Sequence, residues 1–495
     1  MAAPGFAGAP PRMTDDPHPH PPAGPAQPVV PNYRWRVLLT VVLGTMASVM
    51  ASTVINVAVP DMSRVFGLGQ ARAQWLSAGF MAAMTLSMLA TPWLLGRFGY
   101  RDTYIGAISL LLAGGVLGGL SPWIELVLAM RVAEGLAAGV LQPIPAIIVM
   151  RAFEPAEQGR AMGVSSIGVV LAPAIGPSVG GVLVEWFGWR GVFFVVVPFC
   201  VAALVLARRH LPVTAPGGAA TDRDGPKLDV VGLVLIAITV LALLNGMVEL
   251  RGASAATGLA LLACSATALV GFVFHQKRGA RPLMELRLFG HRNFALGGVV
   301  AFIYGMALFG STYLVPVFMQ LGMSLPPSQA GVALLPASIV LALTIPVAGR
   351  LTDRLPFGRI VAFGLTLLAA SFLLMVTVGS QGSVWWIVAW TVIGRIGLGF
   401  VLPSLNVGAM RGLPADFISQ GASTINFMRQ LGGAVGVSLV GIVLDWRLAL
   451  YPGAAARAFH ETFVLVGLIT GCAALAALRM GPAGVRAPAR PTAPP

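Results

Sequence analysis

The 495-residue chain predicts an all-α polytopic membrane protein of about fourteen transmembrane helices, arranged as two six-helix bundles plus two inserted helices. Three observations carry that prediction. Hydrophobic residues make up 57% of the chain and charged residues 10%, with a mean hydropathy of +0.83. A soluble domain carries about 25% charged residues, so this chain cannot clothe a water-facing surface. Apolar runs near the ~20 residues that a bilayer-spanning helix needs recur along the whole length. Motifs in the first half also return in the second at a shared offset.

In chain order, residues 1–35 form a tail rich in Pro, Gly and Ala. It is too broken for the apolar core of a cleavable signal and is expected to be disordered and cytoplasmic. The first bundle, 36–208, contains apolar runs at about 36–59, 74–95, 103–121, 123–149, 161–184 and 191–207. A linker, 209–229, leads to two inserted spans at 230–248 and 256–274, within the segment 230–275. A second linker, 276–294, precedes the other bundle, 295–480, with runs at about 295–319, 328–348, 359–378, 385–407, 422–444 and 462–478. Residues 481–495 form another Pro-rich tail, expected to be disordered and cytoplasmic.

Basic residues set the expected orientation. With the N-terminus inside, cytoplasmic segments hold 23 of the 32 Lys and Arg, outside segments six, and spans three: Arg131, Arg395 and Arg429. A bias near four to one predicts both termini in the cytoplasm of an inner (plasma) membrane protein. The +14 net charge therefore reflects loop sorting rather than a nucleic-acid surface. Cys200, Cys264 and Cys472 fall inside predicted spans without paired or metal-ligand spacing, so neither a disulfide framework nor a metal site is expected. The six histidines fall in tails, loops or span ends, and none reads as a ligand.

The duplication appears in three places. Gly163-Val164-Ser165-Ser166-Ile167 matches Gly421-Ala422-Ser423-Thr424-Ile425 at an offset of 258, and Arg131 with Gly135 matches Arg395 with Gly399 at 264. The loop from Leu94 to Gly99 returns as Leu351 to Gly358. A shared offset near 260 leaves room for a six-span unit and two extra helices, the parallel repeat of many secondary transporters.

The motifs point further. Span five reads Ala172-Pro173-Ala174-Ile175-Gly176-Pro177-Ser178-Val179-Gly180-Gly181, in which Gly and Pro permit close helix approach and a bend. Trp189-Arg190 and Phe193-Phe194 follow it. The loop after span two carries Arg97, Gly99 and Arg101; its second copy carries Gly349, Asp353 and Arg354. Further signatures are Leu286 to Phe289, Arg292-Asn293-Phe294, Pro316 to Gln320, Leu334-Leu335-Pro336 and Arg429 to Gly436. Across residues 36–480 the chain resembles the major facilitator superfamily, specifically its fourteen-span drug:proton antiporter branch of EmrB/QacA-like multidrug exporters. The resemblance assigns Pro173, Gly176, Pro177, Gly180 and Gly181 to the antiporter motif, and the two basic loops to gating. It implies rocking of two bundles around a midplane cavity, no cofactor beyond the proton motive force, and an adaptor protein and outer-membrane channel as partners in a two-membrane cell.

Two positions depart from the branch. Its gating loop usually carries an Asp where this chain has Gly96, and its first span an embedded Asp where this chain has Ala51. Of eighteen acids, only Glu134 lies deep in a predicted span, three residues after Arg131 and so on the same helix face. An intramembrane charge is costly and needs a partner or a cavity; burial and the neighbouring cation pull the carboxyl's proton affinity in opposite senses. Glu134 is therefore the expected proton carrier, with Arg131 as its modulator and a static ion pair as the alternative. Met50, Asn56, Met84, Gln142, Arg395 and Asn426 are candidate cavity residues, because thioethers adapt to varied shapes and amides offer hydrogen bonds. The expected function is antibiotic-resistance-type multidrug efflux, exporting lipophilic compounds in exchange for protons. A dedicated exporter of one siderophore or antibiotic, or an uncoupled facilitator, is the alternative. No paired-carboxylate, His-rich or P-loop cluster supports a membrane enzyme or bound nucleic acid.

Overall fold

The computed structural model describes residues 33–212, 227–250, 255–279, 282–379 and 382–481, so most of both tails and the middle of the 209–229 linker lie outside the described residues. Every regular element among the described residues is helical: α1 (Tyr33–Phe66), α2 (Gln70–Leu120), α3 (Ile124–Leu141), α4 (Ile144–Ala152), α5 (Gln158–Phe187), α6 (Gly191–Phe194), α7 (Val197–His210), α8 (Val230–Glu249), α9 (Ala255–Arg278), α10 (Arg292–Val317), α11 (Pro327–Ala333), α12 (Leu335–Arg354), α13 (Phe357–Met375), α14 (Val384–Met410), α15 (Ile418–Leu450) and α16 (Ala455–Leu478). Helix α1 begins at Tyr33, inside the expected tail. Helices α1, α5 and α15 outrun their apolar runs at both ends because the backbone stays hydrogen-bonded into the interface, where side chains already turn polar.

Twelve helical segments among the described residues are long and apolar enough to cross a membrane. That count treats Arg72–Leu120, 49 residues, as one segment and does not include Gln158–Phe187, 30 residues. At ~1.5 Å per residue the longer helix would measure about 73 Å, against a hydrocarbon core of ~30 Å. Gly99 interrupts it with φ +82°, a left-handed conformation that glycine adopts without a Cβ clash. The two expected runs 74–95 and 103–121 fall on either side of this break.

Each half has its own apolar core. One gathers Leu38, Val54, Phe80, Ile108, Val127 and Ile147; the other gathers Phe294, Ile345, Phe372, Leu398, Val440 and Phe463. The halves meet along two seams, α5 against α12 and α2 against α15. Small residues set the spacing at the first. A Cβ on Gly349 would stand 2.6 Å from the Gly159 carbonyl and 2.9 Å from Gly163 Cα, so α5 and α12 touch backbone to backbone. The inserted α8–α9 hairpin covers the second seam through a cluster of Leu89, Ile236, Phe272, Met284 and Phe427.

Both ends of the described chain share one face. Arg34 pairs with Glu157 at 3.5 Å, Arg411 donates to the Pro155 carbonyl at 2.9 Å, and Asn293 donates to the Gly481 carbonyl at 2.9 Å. We call this the terminal face.

Candidate functional site

Helix α3 presents Arg131 and Glu134 toward α1 and α2. The guanidinium Nη1 stands 2.6 Å from Glu134 Oε2, with the two side chains 2% and 1% exposed. Arg131 also donates from Nε to the Leu76 carbonyl at 3.0 Å and from Nη1 to the Ala51 carbonyl at 3.2 Å. Its guanidinium carbon lies 4.3 Å from the centre of the Phe80 ring, a cation–π contact. Nη2 is buried without a hydrogen-bond partner. The pair thus ties three helices together while one strong donor stays unused. The Ala51 carbonyl that accepts from Arg131 belongs to the position where the branch's acid is missing.

Glycines make room for this pair. Gly114 and Gly115 on α2 face Glu134: a Cβ on Gly114 would lie 2.6 Å from Glu134 Cγ, and one on Gly115 would lie 3.5 Å from Oε1. Gly135 and Gly139, a Gly-x-x-x-Gly pair on α3, lie against the backbone of Phe80 and Met84 on α2. The acid therefore sits where two helices are in backbone contact, with no space for solvent on that side.

Gln142 and Asn426, far apart in sequence, are brought together by Arg429. Its Nη2 donates to Gln142 Oε1 at 3.1 Å and to Asn426 Oδ1 at 2.9 Å, and all three side chains are buried. This side chain bridges the halves. Next to it, Gln430 Nε2 reaches the Met81 sulfur at 3.4 Å across the α2–α15 seam. The other cavity candidates lie apart. Met50 and Met84 are buried in the first core, and Asn56 accepts from Ser77 at 2.7 Å. Arg395 is half-buried and lines a cavity of about 20 Å³ with Ser311, Ser371 and Thr391 in the second half. Its expected mate, Arg131, is held by Glu134 and by two backbone carbonyls, so the duplicated arginines occupy different environments.

The antiporter motif faces α1. A Cβ on Gly176 would meet Thr53 Oγ1 at 2.5 Å, and one on Gly180 would meet the Val54 carbonyl at 3.1 Å, whereas Gly181 faces open space. Helix α5 is continuous through Pro173 and Pro177, whose side chains lie outside the described residues.

At the terminal face, Asp353 accepts from the Gly159 amide at 2.6 Å and the Arg160 amide at 2.9 Å. An acid from the second half thereby caps the N-terminus of a helix in the first, where the exposed amides and helix dipole favour negative charge. The mirror contact is weaker: Tyr100 and Ser419 hydroxyls lie 3.4 Å apart, and Gly96 offers no acid. Arg151 donates to the Ala415 carbonyl at 3.0 Å and Arg411 to the Pro155 carbonyl, two contacts related by an offset of 260 in both partners. The repeat spacing in the sequence is the signal that marks this reciprocal pair. Arg101 instead donates to the Arg208 carbonyl at 3.1 Å within its own half, and Arg354 is exposed. Among the described residues, the hydrogen bonds crossing between halves lie at the terminal face or at mid-depth, so the molecule is closed on that face. No group of three or more metal-type ligands occurs among the described residues.

Residues 41–437 match the family model of the Major Facilitator Superfamily. The chain is 31% identical over 420 residues to the multidrug resistance protein B homolog of Mycobacterium tuberculosis, covering 83% of this chain and 77% of that protein. It is 27% identical over 427 residues to the tetracenomycin C resistance and export protein of Streptomyces glaucescens, covering 86% and 78% respectively. In fold it is similar to the proton:xylose symporter XylE, with a TM-score of 0.64 at 14% identity over 90% of this chain and 95% of that one. A family model spanning most of the chain, relatives of this kind and an all-helical duplicated architecture give one conclusion: the chain belongs to the Major Facilitator Superfamily, as a multi-pass membrane transporter and not an enzyme.

Proposed function

We propose that the protein exports lipophilic compounds across the inner membrane in exchange for protons, by alternating access between two bundles. In this reading the terminal face is cytoplasmic, as the distribution of Lys and Arg favours. The chain crosses the bilayer fourteen times, with α2 divided at Gly99 and α5 counted as a span. The observation that carries the mechanism is the buried Arg131–Glu134 pair at 2.6 Å, with Nη2 left over. Protonation of Glu134 releases the guanidinium from its counter-charge and loosens its hold on α1 and α2, so proton occupancy biases the packing of the first bundle. Exchange requires that proton and substrate load alternately, and Glu134 is the only acid buried in the spans among the described residues.

The test is transport by purified protein in vesicles under an imposed pH gradient, comparing wild type with Glu134→Gln. The variant keeps the shape and a hydrogen-bond acceptor for Arg131 but carries no exchangeable proton. Gradient-driven export should vanish while substrate exchange without a gradient persists. Undiminished gradient-driven export by a normally inserted Gln variant overturns the assignment.

A dedicated exporter is the second reading, favoured by the relative named for tetracenomycin C alone. Resistance to one compound class, rather than to unrelated toxicants, distinguishes it. An adaptor and outer-membrane channel as partners belong to the same proposal and are tested by co-purification from the native membrane.

A further inference from the structure

A second cavity lies outside the interface between the halves. It occupies about 650 Å³ between α8 and the flank of α2 and α3. Leu86 and Leu110 of α2, Leu136 of α3 and Val234 of α8 form aliphatic walls, and the last three are 40%, 42% and 50% exposed, so the groove opens sideways toward lipid. Gly106 hollows it: a Cβ there would meet nothing within 4 Å. From Phe98 at the terminal end to Leu86, the groove follows twelve residues of helix, about 18 Å at ~1.5 Å per residue. That is close to one leaflet of a ~30 Å hydrocarbon core.

Polar side chains in its walls are few and mostly used up. Ser87 and Thr103 donate to the carbonyls of Met84 and Leu94. Asp102 is exposed, is the one charged group in the lining, and makes no ion pair among the described residues. Arg101 turns away to the Arg208 carbonyl, and Arg97 also has a partner. Beside Asp102 in the lining, the Trp93 and Phe98 rings pack edge to face with centroids 5.9 Å apart. A carboxylate and aromatic rings lining one apolar slot about a leaflet deep are complementary to a cationic head on a hydrocarbon tail.

We propose that this groove binds single-chain amphiphilic cations from the leaflet on the terminal face, with a quaternary ammonium or protonated amine at Asp102 and the tail along α2, α3 and α8. The site is separate from Arg131 and Glu134, and its occupation does not require the proton coupling proposed above.

The experiment uses the full chain in nanodiscs of one fixed phosphatidylethanolamine–phosphatidylglycerol mixture, with no gradient. The probe is dodecyltrimethylammonium carrying a diazirine in its tail, and labelled peptides are mapped by mass spectrometry. Labelling should concentrate on residues 86–110, 136–140 and 228–237, and Asp102→Asn should lower it about two- to fivefold. Gly106→Phe, which fills the slot without meeting backbone, should abolish it, and Ala237→Trp from the facing wall should do the same. A dodecanol-headed analogue should label wild type and Asp102→Asn equally and weakly. Labelling that is indifferent to Asp102→Asn, that matches the neutral analogue, or that survives both filling variants overturns the proposal. Because the measurement involves no transport, failure here leaves the coupling reading intact, and failure of Glu134→Gln leaves this one intact.

Discussion

Asp353→Ala should unlatch the terminal face. In the structure both carboxylate oxygens accept backbone amides of α5, at 2.6 and 2.9 Å, and the side chain is half-buried. Hydrogen bonds to a charged group contribute about 1.5–3 kcal/mol each when well shielded, and loss of a helix cap costs about 0.5–2 kcal/mol. Water competes at a half-buried site, so about 2 kcal/mol is a reasonable total for the closed state. The contact joins opposite halves and is lost when they part, so nearly all of that sum acts on the closed–open equilibrium. At ~1.4 kcal/mol per tenfold, the odds of opening should rise about thirtyfold. The readout is a spin–spin distance between labels at Glu154→Cys and Asp416→Cys, both exposed and on opposite halves, with Cys200, Cys264 and Cys472 replaced. The short-distance population should shrink in Asp353→Ala, with an intermediate shift in Asp353→Asn. Superimposable distributions for wild type and Asp353→Ala would refute the latch.

The remaining predictions use the same logic. Gly96→Asp restores an acid at the duplicated position, where a Cβ meets nothing within 4 Å. It should recover the short distance in the Asp353→Ala background by about tenfold in closed-state odds, as one added cap warrants. Gly135→Val drives a side chain into the Phe80 backbone, so the thermal midpoint should fall by the equivalent of at least the ~1–3 kcal/mol of ordinary overpacking. Asp229 caps α8 and holds α9. Burial alone would raise its pKa, but hydrogen bonds from the Gly232 amide, His275 at 2.8 Å and Gln276 at 2.8 Å outweigh this and hold the carboxyl below its ordinary 3.8. With the folded value depressed, its stabilisation is complete above the unfolded value and disappears as pH falls through the folded one. The thermal midpoint of wild type should therefore exceed that of Asp229→Asn by a constant margin near neutrality, and the margin should close only below pH 3.8.

Much of this protein was legible in its sequence. Uninterrupted hydropathy marks a helix in lipid because only intrachain hydrogen bonds can satisfy the backbone there. Glu134 stood out because a lone acid in an apolar run is expensive, and its spacing of three from Arg131 by itself puts the two on one helix face. The duplication marked the cross-half contacts in outline, since Asp353 and the missing acid at Gly96 occupy equivalent loops. What the sequence did not reveal are the partners that depend on how each helix is turned about its axis. Arg429 meets Gln142 across 287 residues, Asn56 is satisfied by Ser77, and the duplicate arginines 131 and 395 have unlike surroundings. In a soluble helix an apolar stripe reveals the inward face. In a bilayer lipid and core are equally apolar, so the pattern carries no such mark, and close packing of small residues such as Gly135, Gly139 and Gly349 decides the rotation. For the same reason the groove under α8 exists only through the way the inserted hairpin lies against α2, a tertiary choice that hydropathy does not encode.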